Sequence, residues 1–275
     1  MTYDDLVAAW KALRARCAGL VVRELAVVRA PRTMLVAELV PDGGAVAGRP
    51  TIALASGVHG DEPAGPWALL SIVADGLLDA RFSYRIWPCT NPSGYRAGTR
   101  ENAEGNDINR SFSRGGTTPE ARAVITANRD RKFVLSLDLH EDFEADGFYC
   151  YEPRAEGLDA LGPKVIRALD DVALPVQEFD AGFDLVYSSE ERAHHPTERG
   201  RVVTDSRADA RFPDGLPYNV FLLRHAARQV LTFESPRKRP WEERLAIHRV
   251  AVTSAIAALA DATQTATVSA TNGTT

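Results

Sequence analysis

Cysteine is scarce in this chain of 275 residues, and its scarcity argues against a disulfide framework. The three cysteines, Cys17, Cys89 and Cys150, are odd in number and far apart, so we expect buried free thiols. A basic stripe and a zinc-finger cysteine spacing are also missing, and the formal net charge is −5. These features disfavour nucleic acid and anionic membrane surfaces as partners.

Long apolar runs are missing as well. None reaches the roughly 20 residues needed to cross a bilayer. The first ten residues, which include Asp4 and Asp5, lack the basic and apolar regions of a signal peptide. We therefore expect a cytoplasmic protein without a membrane partner.

Strand-like and helix-like segments alternate along the chain. Strand-like runs lie at 21–28, 33–40, 51–55, 84–89, 133–139, 148–152 and 229–234, and helical spacing lies at 2–17, 64–78, 119–128, 162–171, 218–228 and 241–262. This alternation predicts an α/β fold with a mixed, mostly parallel central sheet and helices on both faces. We expect one catalytic domain over 1–262 and a disordered tail over 263–275. Residues 180–217 are charged and irregular, and we expect excursions around the mouth of the site.

Polar clusters follow four of the predicted strands. They are His59 to Glu62, Asn91 with Pro92, Asp138 to His140, and Glu234. In an open α/β sheet the carboxyl ends of the parallel strands line one crevice, which is where ligands bind. The sequence therefore predicts a crevice that holds two histidines and two carboxylates.

Two histidines and one glutamate have the chemistry of a zinc site. A catalytic zinc ion takes three protein ligands, here His59, Glu62 and His140, and one water. Pro63 biases Glu62 away from helical conformation and makes Glu62 an expected N-cap, so that the pair lies in a strand-to-helix turn. Asp138 could hold the His140 imidazole by a hydrogen bond. The alternatives are a solvated turn and a capped core histidine.

Glu234 and the loop 100–110 supply the remaining chemistry. A buried carboxylate at the end of an apolar strand is costly without a partner, but facing a metal-bound water it becomes a general base. Arg110 can donate two parallel hydrogen bonds to a carboxylate, Asn109 can add another, and Arg100 could stabilise an oxyanion. The alternatives are a surface carboxylate and a charged surface loop.

The assembled residues resemble a known family. In the order His59/Glu62, Arg100, Asn109/Arg110, His140 and Glu234, the chain resembles the zinc carboxypeptidases and their relatives, the succinylglutamate desuccinylases and aspartoacylases. The loop 100–110 looks especially like the form found in bacterial peptidoglycan-peptide hydrolases. The resemblance covers about residues 51–262, and it implies one Zn²⁺ per chain bound by the two histidines and Glu62.

The resemblance also implies roles for the residues around the zinc. Asn109 and Arg110 would grip the terminal carboxylate of the substrate, and Arg100 would polarise the scissile carbonyl. Asp107 would accept a hydrogen bond from the first metal-binding histidine and orient it. Carboxypeptidases place a tyrosine on a mobile loop over the substrate, and Tyr218 is the nearest candidate, with Tyr187 behind it.

The function implied is hydrolysis of an amide or peptide bond beside a free carboxylate. Only one helix and a tail follow Glu234, which resembles the carboxypeptidase ending and favours small peptides as substrates. The first alternative is an N-acyl amino acid deacylase of the desuccinylase and aspartoacylase type. The second is a catalytically silent binding protein on the same fold. Specificity is expected in 180–217, where Arg201, Arg207 and Arg211 either favour an acidic side chain or are solvated.

Overall fold

The computed structural model describes residues 1–27, 33–45, 47–113, 115–155, 157–179, 196–204, 212 and 215–272, with side chains as far as residue 263. The predicted turn at 29–32 and most of 180–217 lie outside these residues. The same holds for Tyr187, Arg207 and Arg211.

The described residues form seven α-helices, nine strands and one short 3-10 turn. The helices are α1 (Tyr3–Arg14), α2 (Ala64–Ala74), α3 (Pro92–Ala97), α4 (Pro119–Ala127), α5 (Gly162–Asp171), α6 (Tyr218–His225) and α7 (Trp241–Asn272). The strands are β1 (Leu20–Ala26), β2 (Thr33–Leu39), β3 (Thr51–Ser56), β4 (Ser83–Trp87), β5 (Leu135–Asp142), β6 (Tyr149–Pro153), β7 (Thr197–Glu198), β8 (Arg201–Thr204) and β9 (Val230–Pro236). The 3-10 turn spans Ile108–Arg110.

The strands form one mixed sheet in the order β1-β2-β4-β3-β5-β9-β6-β8-β7. Its centre is parallel, because β4, β3, β5 and β9 run in one direction. On the two sides of this centre, β2 pairs antiparallel with β4, and β6 pairs antiparallel with β9. The predicted α/β class is confirmed, and the carboxyl ends of β3, β5 and β9 meet at one edge of the sheet.

Strand β5 shows how the two faces of the sheet differ. Leu135, Leu137 and Leu139 belong to the core beneath α1, α2, α5 and α7. Successive side chains of a strand point to opposite faces, so the residues between these leucines face the other way. There the Ser136 hydroxyl and the Asn219 side chain of α6 are hydrogen-bonded at 2.7 Å. The face that carries His140 is therefore the α4 and α6 face.

The polar stretch after β4 contains more regular structure than its sequence predicts. Asn91 caps α3 by accepting a hydrogen bond from the Gly94 amide at 2.8 Å. The helix ends at Gly98, whose φ of 65° is the left-handed conformation that glycine adopts without strain. A helix of only six residues carries too few apolar positions to show a clear helical period.

The structure differs from two further expectations, which concern the burial of the cysteines and the length of apolar segments. All three cysteines are free; Cys89 and Cys150 are buried as predicted, whereas Cys17 is half-buried. The segment Trp241–Thr263 of α7 is long and apolar enough to cross a membrane by length and composition alone, contrary to the sequence-based expectation. Its apolar residues, including Ile247 and Val252, pack in the core with residues of α2 and α5, which accounts for its composition.

Helix α7 continues to Asn272, beyond the end predicted at residue 262. Thr263 lies within it and donates a hydrogen bond from its hydroxyl to the Ala260 carbonyl at 2.7 Å. The division into a catalytic domain over 1–262 and a tail over 263–275 stays a prediction.

Candidate metal centre

The three predicted metal ligands come together at the carboxyl ends of β3 and β5. His59 and Glu62 lie in the turn between β3 and α2, and His140 lies in β5. Their candidate ligand atoms all lie within 4.8 Å of one another, and this group is the one such cluster found among the described residues. Each residue is at most 3% exposed, so the cluster is shielded from solvent.

The inner nitrogens of both imidazoles face the same carboxylate. Nδ1 of His59 lies 2.6 Å from Oε1 of Glu62, and Nδ1 of His140 lies 3.0 Å from Oε2. The two Nδ1 atoms are 3.3 Å apart. Two imidazole nitrogens and a carboxylate oxygen that converge on one point are a donor set suited to a metal ion.

A second carboxylate lies on the outer side of each imidazole. Nε2 of His140 lies 3.1 Å from Oδ2 of Asp138, as predicted. Nε2 of His59 lies 3.4 Å from Oδ1 of Asp107, an ion-pair distance without hydrogen-bond geometry. A carboxylate behind a histidine ligand fixes the ring orientation and leaves the opposite nitrogen for the metal. Both histidines therefore present Nδ1 to the centre.

The electrostatics of the cluster favour a cation. Burial acts to lower the pKa of His140, but the carboxylates of Asp138 and Glu62 outweigh it and raise that pKa well above its usual value. Burial likewise opposes a charge on His59, yet Glu62 and Asp107 raise the pKa of His59. Burial acts to raise the pKa of Glu62, and both histidines together hold it lowered. The pocket thus stabilises positive charge, which is the requirement for a divalent metal.

Glu234 lies directly opposite His140. The two residues are partners in the parallel pairing of β5 and β9. Phe233, next to Glu234, belongs to the core on the other face, so Glu234 shares the face of His140. The Glu234 side chain is half-buried, and burial raises its pKa well above the usual value, with Glu62 and Asp142 adding to the rise and His140 opposing it.

Arg100 is tied to the metal-ligand cluster through Asp107. Its Nε and Nη2 atoms donate to Oδ2 of Asp107 at 3.2 and 3.0 Å. Its Nη1 atom lies 3.4 Å from Nδ1 of His59. A guanidinium this close to the ligand atoms can stabilise negative charge that develops beside a bound metal ion.

Asn109 and Arg110 follow Asp107 in the 3-10 turn. The Asp107 carboxylate caps this turn by accepting a hydrogen bond from the Asn109 amide at 2.8 Å. The side-chain oxygen of Asn109 accepts from the Tyr218 amide at 2.9 Å, so the turn is fixed against the start of α6. Arg110 donates to the Asn109 carbonyl at 2.9 Å, and its guanidinium lies 5.0 Å from the centre of the Phe212 ring.

The structure does not place Tyr218 over the crevice. Its ring is 1% exposed and packs edge-on against Phe112 at 5.3 Å between ring centres, within the core beneath α6. The predicted substrate-binding role of this side chain is therefore corrected: its backbone amide holds Asn109, whereas its ring is a core residue. The sequence pointed to a substrate-binding role for Tyr218 only through its proximity to Glu234 along the chain.

The start of α2 also differs from its prediction. The N-cap of α2 is Pro63 rather than Glu62, and it offers no side-chain cap. The Glu62 side chain instead points toward His59 and His140. The orphan amide of Ala64 donates at 2.9 Å to Oε2 of Glu141, a residue 77 positions further along the chain.

Sequence reasoning missed two structural supports of the site. A Cβ atom on Gly60 would lie 1.9 Å from the carbonyl carbon of Gly94, so this residue between His59 and Asp61 must be glycine. The only signal for this is a glycine inside a run of polar site residues. Arg244 of α7, which binds Glu141, carries no sequence signal because it reads as an ordinary charged residue of an amphipathic helix.

Arg201, one of the three arginines considered for specificity, does not face the crevice. Its Nε donates to the buried carboxylate of Glu152 at 2.6 Å, and its Nη1 pairs with Glu198 at 3.1 Å. Its charge is therefore used within the β6–β8 part of the sheet.

Sheet, clustered ligands and neighbouring carboxylates define a metallohydrolase-like centre on an α/β fold. Residues 48–151 match the family model of the succinylglutamate desuccinylase/aspartoacylase catalytic domain. The chain is 28% identical over 162 residues to carboxypeptidase SOL1 of Arabidopsis thaliana; the match covers 51% of this chain and 33% of that protein. The matched region thus spans about a third of the length of this curated relative.

Solved structures share the fold over nearly the whole chain. A Shewanella denitrificans protein assigned as a metallopeptidase superposes with a TM-score of 0.71 at 22% identity, covering 92% of this chain and 89% of that one. A second, from Shewanella amazonensis, gives 0.69 at 22% identity, with 92% and 91% covered. A metallo-carboxypeptidase of Burkholderia cenocepacia gives 0.62 at 17% identity, with 93% and 68% covered. These comparisons support the predicted resemblance: the chain is similar to the desuccinylase/aspartoacylase catalytic domain over residues 48–151, and it shares its fold with metallopeptidases and a metallo-carboxypeptidase.

Proposed function

We propose that this protein is a zinc-dependent hydrolase that cleaves an amide or peptide bond beside a free carboxylate. The observation that carries the proposal is the convergence of both histidine Nδ1 atoms on Glu62, with Glu234 opposite His140 on the same face. The substrate is a small peptide or an N-acyl amino acid.

His59, Glu62 and His140 would hold the zinc ion. The ion would supply Lewis acidity toward a carbonyl oxygen and would lower the pKa of a nearby water. Asp138 and Asp107 keep the two imidazole rings oriented, since each carboxylate lies against an outer Nε2 atom.

Glu234 is the proposed general base. Its carboxylate takes a proton from the attacking water, and the resulting carboxylic acid then gives that proton to the leaving amine nitrogen. Its half-buried position suits both steps. Burial raises the pKa of Glu234, which favours the protonated form that the second step needs, and the side chain remains within reach of the crevice. After this transfer Glu234 is a carboxylate again and the proton leaves with the amine product, so the enzyme ends in its starting state.

The loop that carries Asp107 supplies the substrate contacts. Arg100 would stabilise the negative charge that develops on the carbonyl oxygen, given its place 3.4 Å from Nδ1 of His59. Arg110 and Asn109 would hold the free carboxylate. Stacking of Arg110 on Phe212 supports this role, because it limits the orientations of a planar donor that binds carboxylate bidentately.

A small-molecule deacylase is the second candidate. The match of residues 48–151 to the desuccinylase/aspartoacylase catalytic domain favours it. Peptidase and deacylase would share the same metal ligands, base and carboxylate contacts, and would differ in the acyl half of the substrate. A binding protein without catalytic activity would not require a general base such as Glu234 beside three candidate metal ligands.

The test uses the zinc-loaded protein with two substrate panels. One panel contains short peptides with a free terminal carboxylate, and the other contains N-succinyl and N-acetyl amino acids. The proposal expects release of an amino acid from at least one panel, lost on chelation and restored by zinc. Release from peptides selects the peptidase, and release only from acyl amino acids selects the deacylase. Inertness of the zinc-loaded protein toward both panels would contradict the proposal.

A further inference from the structure

Glu141 follows a metal ligand in sequence but points away from the metal. Because side chains alternate along β5, Glu141 faces α2 and α7 on the side of the sheet opposite to His140. Its side chain is 0% exposed. Arg244 of α7 binds it with two hydrogen bonds, from Nε to Oε1 at 2.6 Å and from Nη2 to Oε2 at 2.8 Å. This is the bidentate geometry that makes an arginine–carboxylate pair strong and directional.

The same glutamate joins two further elements. Its Oε2 atom accepts the hydrogen bond of the Ala64 amide at the start of α2. Its own backbone amide donates at 3.2 Å to Oε2 of Glu62. That oxygen is the one that lies 3.0 Å from Nδ1 of His140. The main chain of Glu141 therefore orients a metal ligand, and the side chain of Glu141 holds that main chain in place.

The stability of this arrangement depends on Arg244. A buried carboxylate that loses its only cationic partner carries a large desolvation penalty. Without the guanidinium, the Glu141 carboxylate loses two hydrogen bonds at a position where its side chain is fully buried. To regain such partners it must turn toward water, and that movement would alter the end of β5, where the Glu62 contact is made.

We propose that Arg244 is a positioning residue of the metal centre, which acts through Glu141 to hold the Glu62 carboxylate between the two histidines. The proposal rests on the proposed function only in that it requires the centre to bind zinc. A residue on the face of the sheet remote from the crevice would therefore contribute to metal affinity.

Helix α7 offers a matched control. Arg249 forms an ion pair at 2.8 Å with Asp75, the C-cap residue of α2, so it also ties α7 to α2. This pair is more exposed, at 30% and 54%, and no contact of it reaches Glu141 among the described residues. Arg249→Met removes a tie between the same two helices without touching the support of Glu62.

The experiment compares wild type with Arg244→Met, Arg244→Lys and Arg249→Met. Zinc affinity is measured by competition with a chromophoric chelator, ligand geometry by the visible spectrum of the Co²⁺-loaded protein, and stability by thermal unfolding of the metal-free protein. Arg244→Met should weaken zinc binding by about 10- to 100-fold, the usual effect of losing a partner that orients a ligand, and should change the Co²⁺ spectrum. Arg244→Lys should recover part of the affinity, because lysine restores the charge without the planar fork.

Arg249→Met should keep the wild-type zinc affinity and Co²⁺ spectrum even where it lowers the unfolding temperature. Equal zinc affinity and spectra for Arg244→Met and wild type would overturn the proposal, as would an equal loss of affinity in Arg249→Met. If Arg244→Met does not fold, Glu141→Gln carries the same comparison, because the amide cannot pair bidentately with the guanidinium. A wild-type protein that binds no zinc would overturn the proposed function as well, whereas zinc binding unaffected in these variants overturns only the role of Arg244.

Discussion

At the scale of single residues, Glu234 gives the sharpest test of the mechanism. Glu234→Gln keeps the size of the side chain but removes the ability to accept a proton from water. We expect the variant to retain its metal and fold, because Glu234 is not among the clustered ligands, and to lose about 10²- to 10⁴-fold in kcat. Steady-state kinetics and elemental analysis on one sample check both statements. A near wild-type rate would show that another group is the base.

Arg110 tests recognition of the substrate carboxylate. Wild type should prefer a free-acid substrate to its amidated form by about tenfold or more, because a charge-assisted hydrogen bond contributes roughly 1.5–3 kcal/mol and about 1.4 kcal/mol is a factor of ten. In Arg110→Ala this preference should shrink. The measurement is kcat/KM for both forms of the substrate. Arg129→Ala, which removes an exposed arginine after α4, is the control and should keep the full preference.

Residue types and local spacing pointed to the side chains that the structure brings together. His59 and Glu62 are three residues apart in one turn, and His140 and Glu234 lie near the carboxyl ends of neighbouring strands, so each belongs to a pattern that a sequence can show. Arg244 could not be predicted, because its contact with Glu141 depends on how α7 packs on β5. The Tyr218 ring was wrongly placed for the same reason: distance along the chain does not tell which face of a helix meets the core.

At the scale of elements, the close approach of the β3–α2 turn to helix α3, at Gly60 and Gly94, has a measurable effect. A methyl group on Gly60 would meet the backbone of Gly94 at 1.9 Å, and a backbone atom cannot turn aside as a side chain can. Gly60→Ala should therefore lower the free energy of unfolding by about 1–3 kcal/mol or more and weaken metal binding, because His59 is its neighbour. Denaturant unfolding and zinc titration measure the two effects.

Gly115 provides the control for this substitution. A Cβ there meets nothing within 4 Å, so Gly115→Ala should change neither stability nor metal binding appreciably. If Gly60→Ala behaves like Gly115→Ala, the turn and helix α3 have room to separate and their close approach is not a constraint.

The positions of strands were more predictable than the ends of helices. β3 and β9 are short and largely apolar, so composition marks them. The end of α6 at His225 is fixed from outside the helix, since the Arg228 amide binds the Phe133 carbonyl at 3.0 Å. A helical period in the sequence continues past such a point, and for this reason α6 was predicted to run to residue 228.

At the scale of the whole molecule, zinc should stabilise the fold. An ion that binds only the folded state adds about 2.7 kcal/mol to the free energy of unfolding at 100 times its dissociation constant. We expect thermal unfolding to shift upward with zinc concentration. The shift should vanish in His140→Ala and persist in His225→Ala, which removes a histidine at the end of α6 remote from the centre. An equal shift in both variants would mean that zinc binds elsewhere.

Asp107 touches three functional groups at once: it lies against the outer nitrogen of His59, binds the guanidinium of Arg100 and caps the turn that carries Asn109. With the roles proposed for His59 and Asn109, metal and substrate carboxylate would share Asp107 as one intermediary, and their binding free energies should be coupled. Such coupling is reciprocal by thermodynamic necessity. A carboxylate product analogue should tighten zinc by the same factor by which zinc tightens the analogue. In a cell poor in free zinc, the enzyme would then keep its metal best while it is occupied with substrate.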